Sequence, residues 1–167
     1  KYRTDTLTGT KIDGLEVARA VKARVKKAAD ELKSQGINPC LATVLVGDNQ
    51  ASTTYVKNKQ KACAEVGIVT KDHHIPASIS QRELNDLVDS LNNDRSVHGM
   101  LVQLPLPDQI NEFEAISRIS PIKDVDGLTP YNAGLLAMGK AALKACTPSG
   151  IMELFDYYKI ELAGKNV

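Results

Sequence analysis

Three side chains that can carry protons or offer a flat face recur at helical spacing near the middle of the chain. Ser52, Tyr55 and Lys59 lie at i, i+3 and i+7, so a hydroxyl, an aromatic ring and an ammonium share one helix face over two turns. A lysine so placed is a candidate for acid–base work. The other reading is a solvated face, since Lys57, Lys59 and Lys61 crowd the same stretch. A second candidate is Gln103, a primary amide inside the apolar run Val97–Leu104. A buried amide needs partners, either a functional group or nearby backbone. The third is Lys123-Asp-Val-Asp-Gly127. Asp124 and Asp126 alternate, so one faces in and the other out; the plainer alternative is a solvated turn with Gly127 at positive φ.

Other patterns carry less. Gly134-Leu-Leu-Ala-Met-Gly-Lys-Ala141 approaches a phosphate loop, but Ala141 stands where Mg²⁺ binding needs Ser or Thr, and no strand precedes it. Tyr55-Val-Lys-Asn-Lys59 matches the Tyr-x-x-x-Lys of short-chain reductases, yet the sequence has no Gly-x-Gly turn for a dinucleotide. His73 and His74 are adjacent and cannot chelate from one strand face, which predicts exposed residues. His98, at a strand start, reads as structural, and Cys63 as core packing.

The elements that must position these groups follow from periodicity. Ile12, Val17, Val21, Val25, Ala28 and Leu32 predict a long amphipathic helix over 12–35, stopped at Gly36 and Pro39. Leu41–Val46 is a continuous apolar run, as in a strand buried on both faces. A helix is expected over 51–66 with Gly67 as its stop, a short strand over 68–75, a helix over 81–92 and a strand over 97–104. Alternation of this kind predicts an α/β fold, a three-layer parallel sheet with helices on both faces. Its ligands belong outside the carboxyl ends of the strands, at Gly47–Ala51 and Gln103–Pro107. Beyond Pro105 we expect a helix over 111–119, a polar loop from Pro121 to Pro130, and a helix opened by Pro148 and running to about Tyr158. Ala163–Val167 reads as a turn and the first residue of a strand, which predicts that the natural polypeptide goes on past Val167.

Composition narrows the class. The 167 residues suit one domain, and 43% hydrophobic with 25% charged residues suits a packed core rather than a disordered chain. Lys plus Arg total 21 against 20 acidic residues, a net charge of +1. That balance disfavours nucleic acid as a partner. No apolar run approaches a membrane span. Cys40, Cys63 and Cys146 are odd in number and widely spaced, against a disulfide framework or a zinc site and for a reducing compartment. We therefore expect a cytoplasmic protein without metal.

Taken together, Val46-Gly-Asp-Asn-Gln-Ala-Ser52, Tyr55–Lys59, Val97-His-Gly-Met-Leu-Val-Gln-Leu-Pro-Leu-Pro107, Lys123–Gly127, Asn132-Ala-Gly134 and Cys146-Thr-Pro-Ser-Gly150 resemble the N-terminal part of one family. It is the methylenetetrahydrofolate dehydrogenase/methenyltetrahydrofolate cyclohydrolase family, the bifunctional FolD-type enzymes. The motifs stand in family order and spacing over nearly the whole chain. The resemblance implies that Lys59 is a catalytic lysine, Gln103 its partner and Asp126 the pterin-binding aspartate. It implies that Tyr55 packs on the folate and that Ser52, Val102, Leu104 and Pro105 also line the substrate.

The reaction implied is oxidation of 5,10-methylenetetrahydrofolate by NADP⁺, with NAD⁺ as the other choice, then hydrolysis of the methenyl product to 10-formyltetrahydrofolate. A Rossmann-type domain is expected beyond the chain end, so residues 1–147 would be the folate domain and 148–167 a linking helix and the start of the next. Thr147 and Pro148 are the residues implied to reach the cofactor. A homodimer is expected of the full-length protein. The alternative is a truncated module that holds folate without a redox step.

Overall fold

A computed structural model describes residue 9 and residues 11–140 and 143–166. Each early helix starts where a short polar side chain can take an orphan amide. Helix α1 (Gly14–Ser34) is capped by Asp13, which accepts from the Leu15 and Glu16 amides. Helix α2 (Gln50–Val66) is capped by Asn49 and ends at Gly67, whose φ of 80° suits glycine. Helix α3 (Gln81–Asn93) opens on a reciprocal Ser80/Glu83 capping box. Between them lie β1 (Cys40–Val46), β2 (Val69–Ile75) and β3 (Gly99–Val102).

The three strands form a parallel sheet in the order β2-β1-β3. Strand β1 is central, and Val44 pairs with His73 on one side and Val102 on the other. One face of the sheet, at Ala42, Val44 and Val46, packs on Leu84 and Val88 of α3 and on Ala115 of α4 (Glu112–Ser117). The Thr43 and Leu45 face meets α2, where Thr53 and Val56 help to enclose a cavity of about 120 Å³. Helix α1 packs outside α2. The expected layering of helices on both sides of the sheet is therefore found.

Three local expectations change. Strand β3 is shorter than 97–104, although its ladder to β1 runs from the His98 amide on Cys40 O (2.9 Å) to the Gln103 amide on Val44 O (2.8 Å). A helix absent from the sequence reading, α5 (Pro130–Ala137), carries Thr129 as its cap and Pro130 in its first turn. Those two start signals were legible, but the glycine-containing segment after them was weighed only as a phosphate loop. Gly134–Ala137 is the end of that helix, Met138 and Gly139 turn out of it, and Ala141 lies outside the described residues. Helix α6 (Cys146–Tyr157) begins two residues before Pro148. The strand expected to begin at Val167 falls outside the described residues.

Candidate active site

The carboxyl end of β3 and the first half of α2 are tied together. Ser52 is buried, and its hydroxyl donates to the Leu104 carbonyl at 3.4 Å. The Gln103 Nε2 donates to the same carbonyl at 2.8 Å. That bond turns the amide so that its oxygen faces α2, where Lys59 Nζ lies 3.5 Å from Oε1, at the outer limit of a hydrogen bond. Among the described residues no carboxylate lies within ion-pair distance of Lys59. Tyr55, one turn before Lys59, is 62% exposed and leaves its ring free for a ligand. Ser52 and Lys59 of α2 thus meet the Gln103–Leu104 end of β3, while Tyr55, on the helix between them, points to solvent.

The other expected positions differ in kind. Val102 is buried in the core, so only its main chain can contribute to this face. Leu104 is half-buried against that core and its carbonyl is already occupied, whereas Pro105, after a cis peptide bond, is exposed.

Asp124 is buried and Asp126 half-buried because the chain turns between them; strand alternation, which sets residues two apart on one face, would not have separated them. Met100 pairs with Asp124 as an isolated parallel bridge, and the Met100 amide donates to Lys123 O at 2.7 Å. The chain then reverses: the Gly127 amide returns to Asp124 O at 3.2 Å, with Gly127 at φ 63°. The turn is not solvated. Asp124 is 1% exposed, and its carboxylate accepts from Leu128 N (3.2 Å), Thr129 N (2.8 Å) and Asn132 Nδ2 (2.8 Å). Burial alone would raise its pKa, but these donors outweigh it and hold the carboxyl below the usual range.

Asp126 stands half-buried at the corner of that turn, its Oδ1 3.3 Å from Cys146 Sγ. A Cβ at Gly127 would come within 2.9–3.1 Å of the Lys144 and Ala145 backbone. That close approach brings the start of α6 against the turn. Burial raises the Cys146 pKa, the Asp126 carboxylate raises it further, and the Lys59 charge opposes both. Cys146 therefore sits within the fields of both groups. The sequence reading missed it: it was counted as one of three unpaired cysteines, although the Cys146–Gly150 motif was the available signal.

Other residues lie outside this cluster. Thr147 and Pro148 are exposed in the first turn of α6. His73, expected exposed, is half-buried with its Nε2 unpartnered beside Thr43 and Asp72. His98 is structural, its Nδ1 accepting from the Cys40 amide at 3.2 Å. Among the described residues no group of three His, Cys, Asp or Glu could hold a metal, and no helix is long and apolar enough to cross a membrane. The turn from β1 into α2 does not suit a dinucleotide: it places the exposed Asp48 carboxylate where a pyrophosphate would need amides and positive charge.

Comparison with known proteins agrees with this geometry. The family described as "Tetrahydrofolate dehydrogenase/cyclohydrolase, catalytic domain" matches residues 12–126. A "Bifunctional protein FolD" of Nitrosopumilus maritimus is 70% identical over 96% of this chain, and that of Cenarchaeum symbiosum 63% over 93%. The chain spans only 56% and 55% of those relatives. The crystal structure of the bifunctional FolD from Campylobacter jejuni superposes with a TM-score of 0.91 at 48% identity, covering 93% of this chain and 56% of that one. The Trypanosoma brucei enzyme, complexed with NADP cofactor and inhibitor, gives 0.89 at 36%, covering 94% and 54%. With the matching sheet, the six motifs and these relatives in hand, the chain belongs to the tetrahydrofolate dehydrogenase/cyclohydrolase family.

Proposed function

We propose that this chain is the folate-handling part of an enzyme that oxidises 5,10-methylenetetrahydrofolate to the methenyl form with NADP⁺ and hydrolyses that product to 10-formyltetrahydrofolate. The observation that carries the hydrolytic half is the pairing of Lys59 with an uncharged Gln103, with no described carboxylate at ion-pair distance. A carboxylate there would hold the lysine as an ammonium, whereas an amide oxygen can orient the amine without fixing its charge. The positive charge of a bound methenyl group and burial beneath it both favour the neutral amine.

Lys59 then acts as the base. Water adds to the methenyl carbon between the two folate nitrogens, and Lys59 accepts the proton that water loses. The carbinol so formed collapses: its O–H proton leaves, the bond from carbon to N5 breaks, N5 takes a proton, and the formyl group stays on N10. Asp126 accepts from the pterin amino group and ring N–H and fixes the orientation. Tyr55 offers the ring an apolar face.

Because the β1–α2 turn does not suit a dinucleotide, the hydride acceptor is assigned to the part of the relatives that this chain does not span. NADP is the choice on the strength of the Trypanosoma brucei complex. The folate-handling unit is placed at 1–147, with 148–167 leading to that further part. A cytoplasmic homodimer is the proposed state of the whole protein.

Titration of a folate analogue tests the binding half. Asp126→Ala is expected to weaken binding about ten- to hundredfold, the worth of charge-assisted bonds to a carboxylate. Equal affinity in wild type and variant would remove Asp126 from the site.

A further inference from the structure

Asp126 stands beside Cys146 at the corner of a turn whose two arms are anchored on either side of it. The incoming arm is held by the Met100 amide on Lys123 O. Lys123 itself is fixed by three carbonyls at the end of α3, those of Leu91, Asn92 and Asp94, at 2.8–3.0 Å from its Nζ. Val125 lies on Gly99 so closely that a Cβ there would overlap it. The returning arm has a single centre. The backbone carbonyl of Asp124 receives the Gly127 amide, and its carboxylate receives Leu128 N, Thr129 N and, from α5, Asn132 Nδ2.

Three consecutive amides after Asp126 thus converge on one residue two positions before it. Asn132 extends the anchor, because its Nδ2 also donates to Pro121 O at 2.9 Å. The start of the segment, its turn and α5 are closed into one unit around the Asp124 carboxylate. At 1% exposure that carboxylate cannot touch a ligand.

We propose that Asp124 is a positioning residue for folate: it fixes where the Asp126 carboxylate stands, and affinity for the pterin depends on it through Asp126. The proposal rests on the reading of Asp126 as the pterin-binding group. Asp124→Asn keeps the size of the side chain but sets an NH₂ against one of the amides it now accepts, so the returning arm must shift. A shift of a fraction of an ångström at the turn is enough to spoil a two-point hydrogen-bonded fit, because such bonds weaken steeply with angle.

The test is a double-mutant cycle read in folate-analogue affinity, with thermal midpoints measured on the same four proteins. Asp124→Asn is expected to weaken binding about tenfold in the wild-type background and less than about twofold in the Asp126→Ala background. The thermal midpoint should fall by a similar amount in both. A residue acting only on stability would lower both midpoints and leave the affinity of the folded protein unchanged, which overturns the proposal. Equal affinity losses in the two backgrounds also overturn it, since the effect would then bypass Asp126. If Asp126→Ala alone leaves affinity untouched, the reading of Asp126 fails first. Should Asp124→Asn not fold, Asn132→Ala takes its place, leaving Asp124 its two backbone donors; about a threefold loss, confined to the background that retains Asp126, is then expected.

Discussion

Lys59 and Gln103 are 44 residues apart in sequence, and their side chains meet at 3.5 Å between Nζ and Oε1. Their meeting joins the middle of α2 to the carboxyl end of β3, where a parallel sheet leaves room for a ligand.

Lys59→Met in the complete gene product should cost methenyl hydrolysis at least about a hundredfold, the usual worth of an acid–base group. Hydride transfer needs placement of the methylene carbon more than a proton relay, so it should fall less. Gln103→Ala added to Lys59→Met should cost hydrolysis little more, because the two act as one unit. The measurements are methenyltetrahydrofolate decay and NADP⁺ reduction on the same preparations. Hydrolysis at the wild-type rate would return the Tyr55/Lys59 face to a solvated helix surface.

Cys146 is a reporter of Asp126. The carboxylate raises the thiol's pKa, so Asp126→Asn should increase the thiolate fraction near neutral pH. Alkylation of Cys146 by iodoacetamide, followed by peptide mass spectrometry, should speed up several-fold in that variant. A bound folate analogue should slow it in the wild type. Cys40 is buried and Cys63 half-buried, so they serve as internal controls. An unchanged rate in Asp126→Asn would show that the two groups do not meet in solution.

Gly127 and Gly134 should respond oppositely to alanine. At Gly127 the φ of 63° and the Lys144–Ala145 backbone both exclude a Cβ, so Gly127→Ala should destabilise by about 1–3 kcal/mol. At Gly134, inside α5, a Cβ would meet nothing within 4 Å among the described residues, and Gly134→Ala should stabilise by about 0.5–1 kcal/mol. Urea denaturation of the two variants decides; destabilisation of the same size in both would contradict the close approach at Gly127.

The Asp124 carboxyl is held below its ordinary value in the folded protein, so its contribution is complete above the unfolded carboxylate pKa of about 3.9. It is lost as pH falls from there through the depressed folded value. Asp124→Asn should therefore be less stable than wild type by about 1–3 kcal/mol at pH 7. The gap should narrow as the pH of urea titrations is lowered below about 4. A gap that stays constant into acid would mean the charge is not what the donors recognise.

The sequence by itself determined most of the elements and their order, α5 excepted. Helix α2 was readable because Gly67 can end it and its face repeats at helical spacing; β1 was readable because an unbroken apolar run must be buried on both sides. These are local facts, decided within a few residues. Local spacing also put Ser52, Tyr55 and Lys59 on one face. The quoted motifs pointed to the family.

Only the tertiary structure decided what each polar group meets. Strand alternation would put Asp124 and Asp126 on one face; the turn separates them, and the role of Asp124 arises where α5 folds back and Asn132 reaches it. The approach of Cys146 to Asp126 depends on Gly127 admitting the backbone at Lys144 and Ala145. Val102 carried the same motif signal as Gln103, yet adjacent strand residues point to opposite faces, and the core claimed Val102. Partners distant in sequence are chosen by how the chain returns on itself, which no local periodicity records.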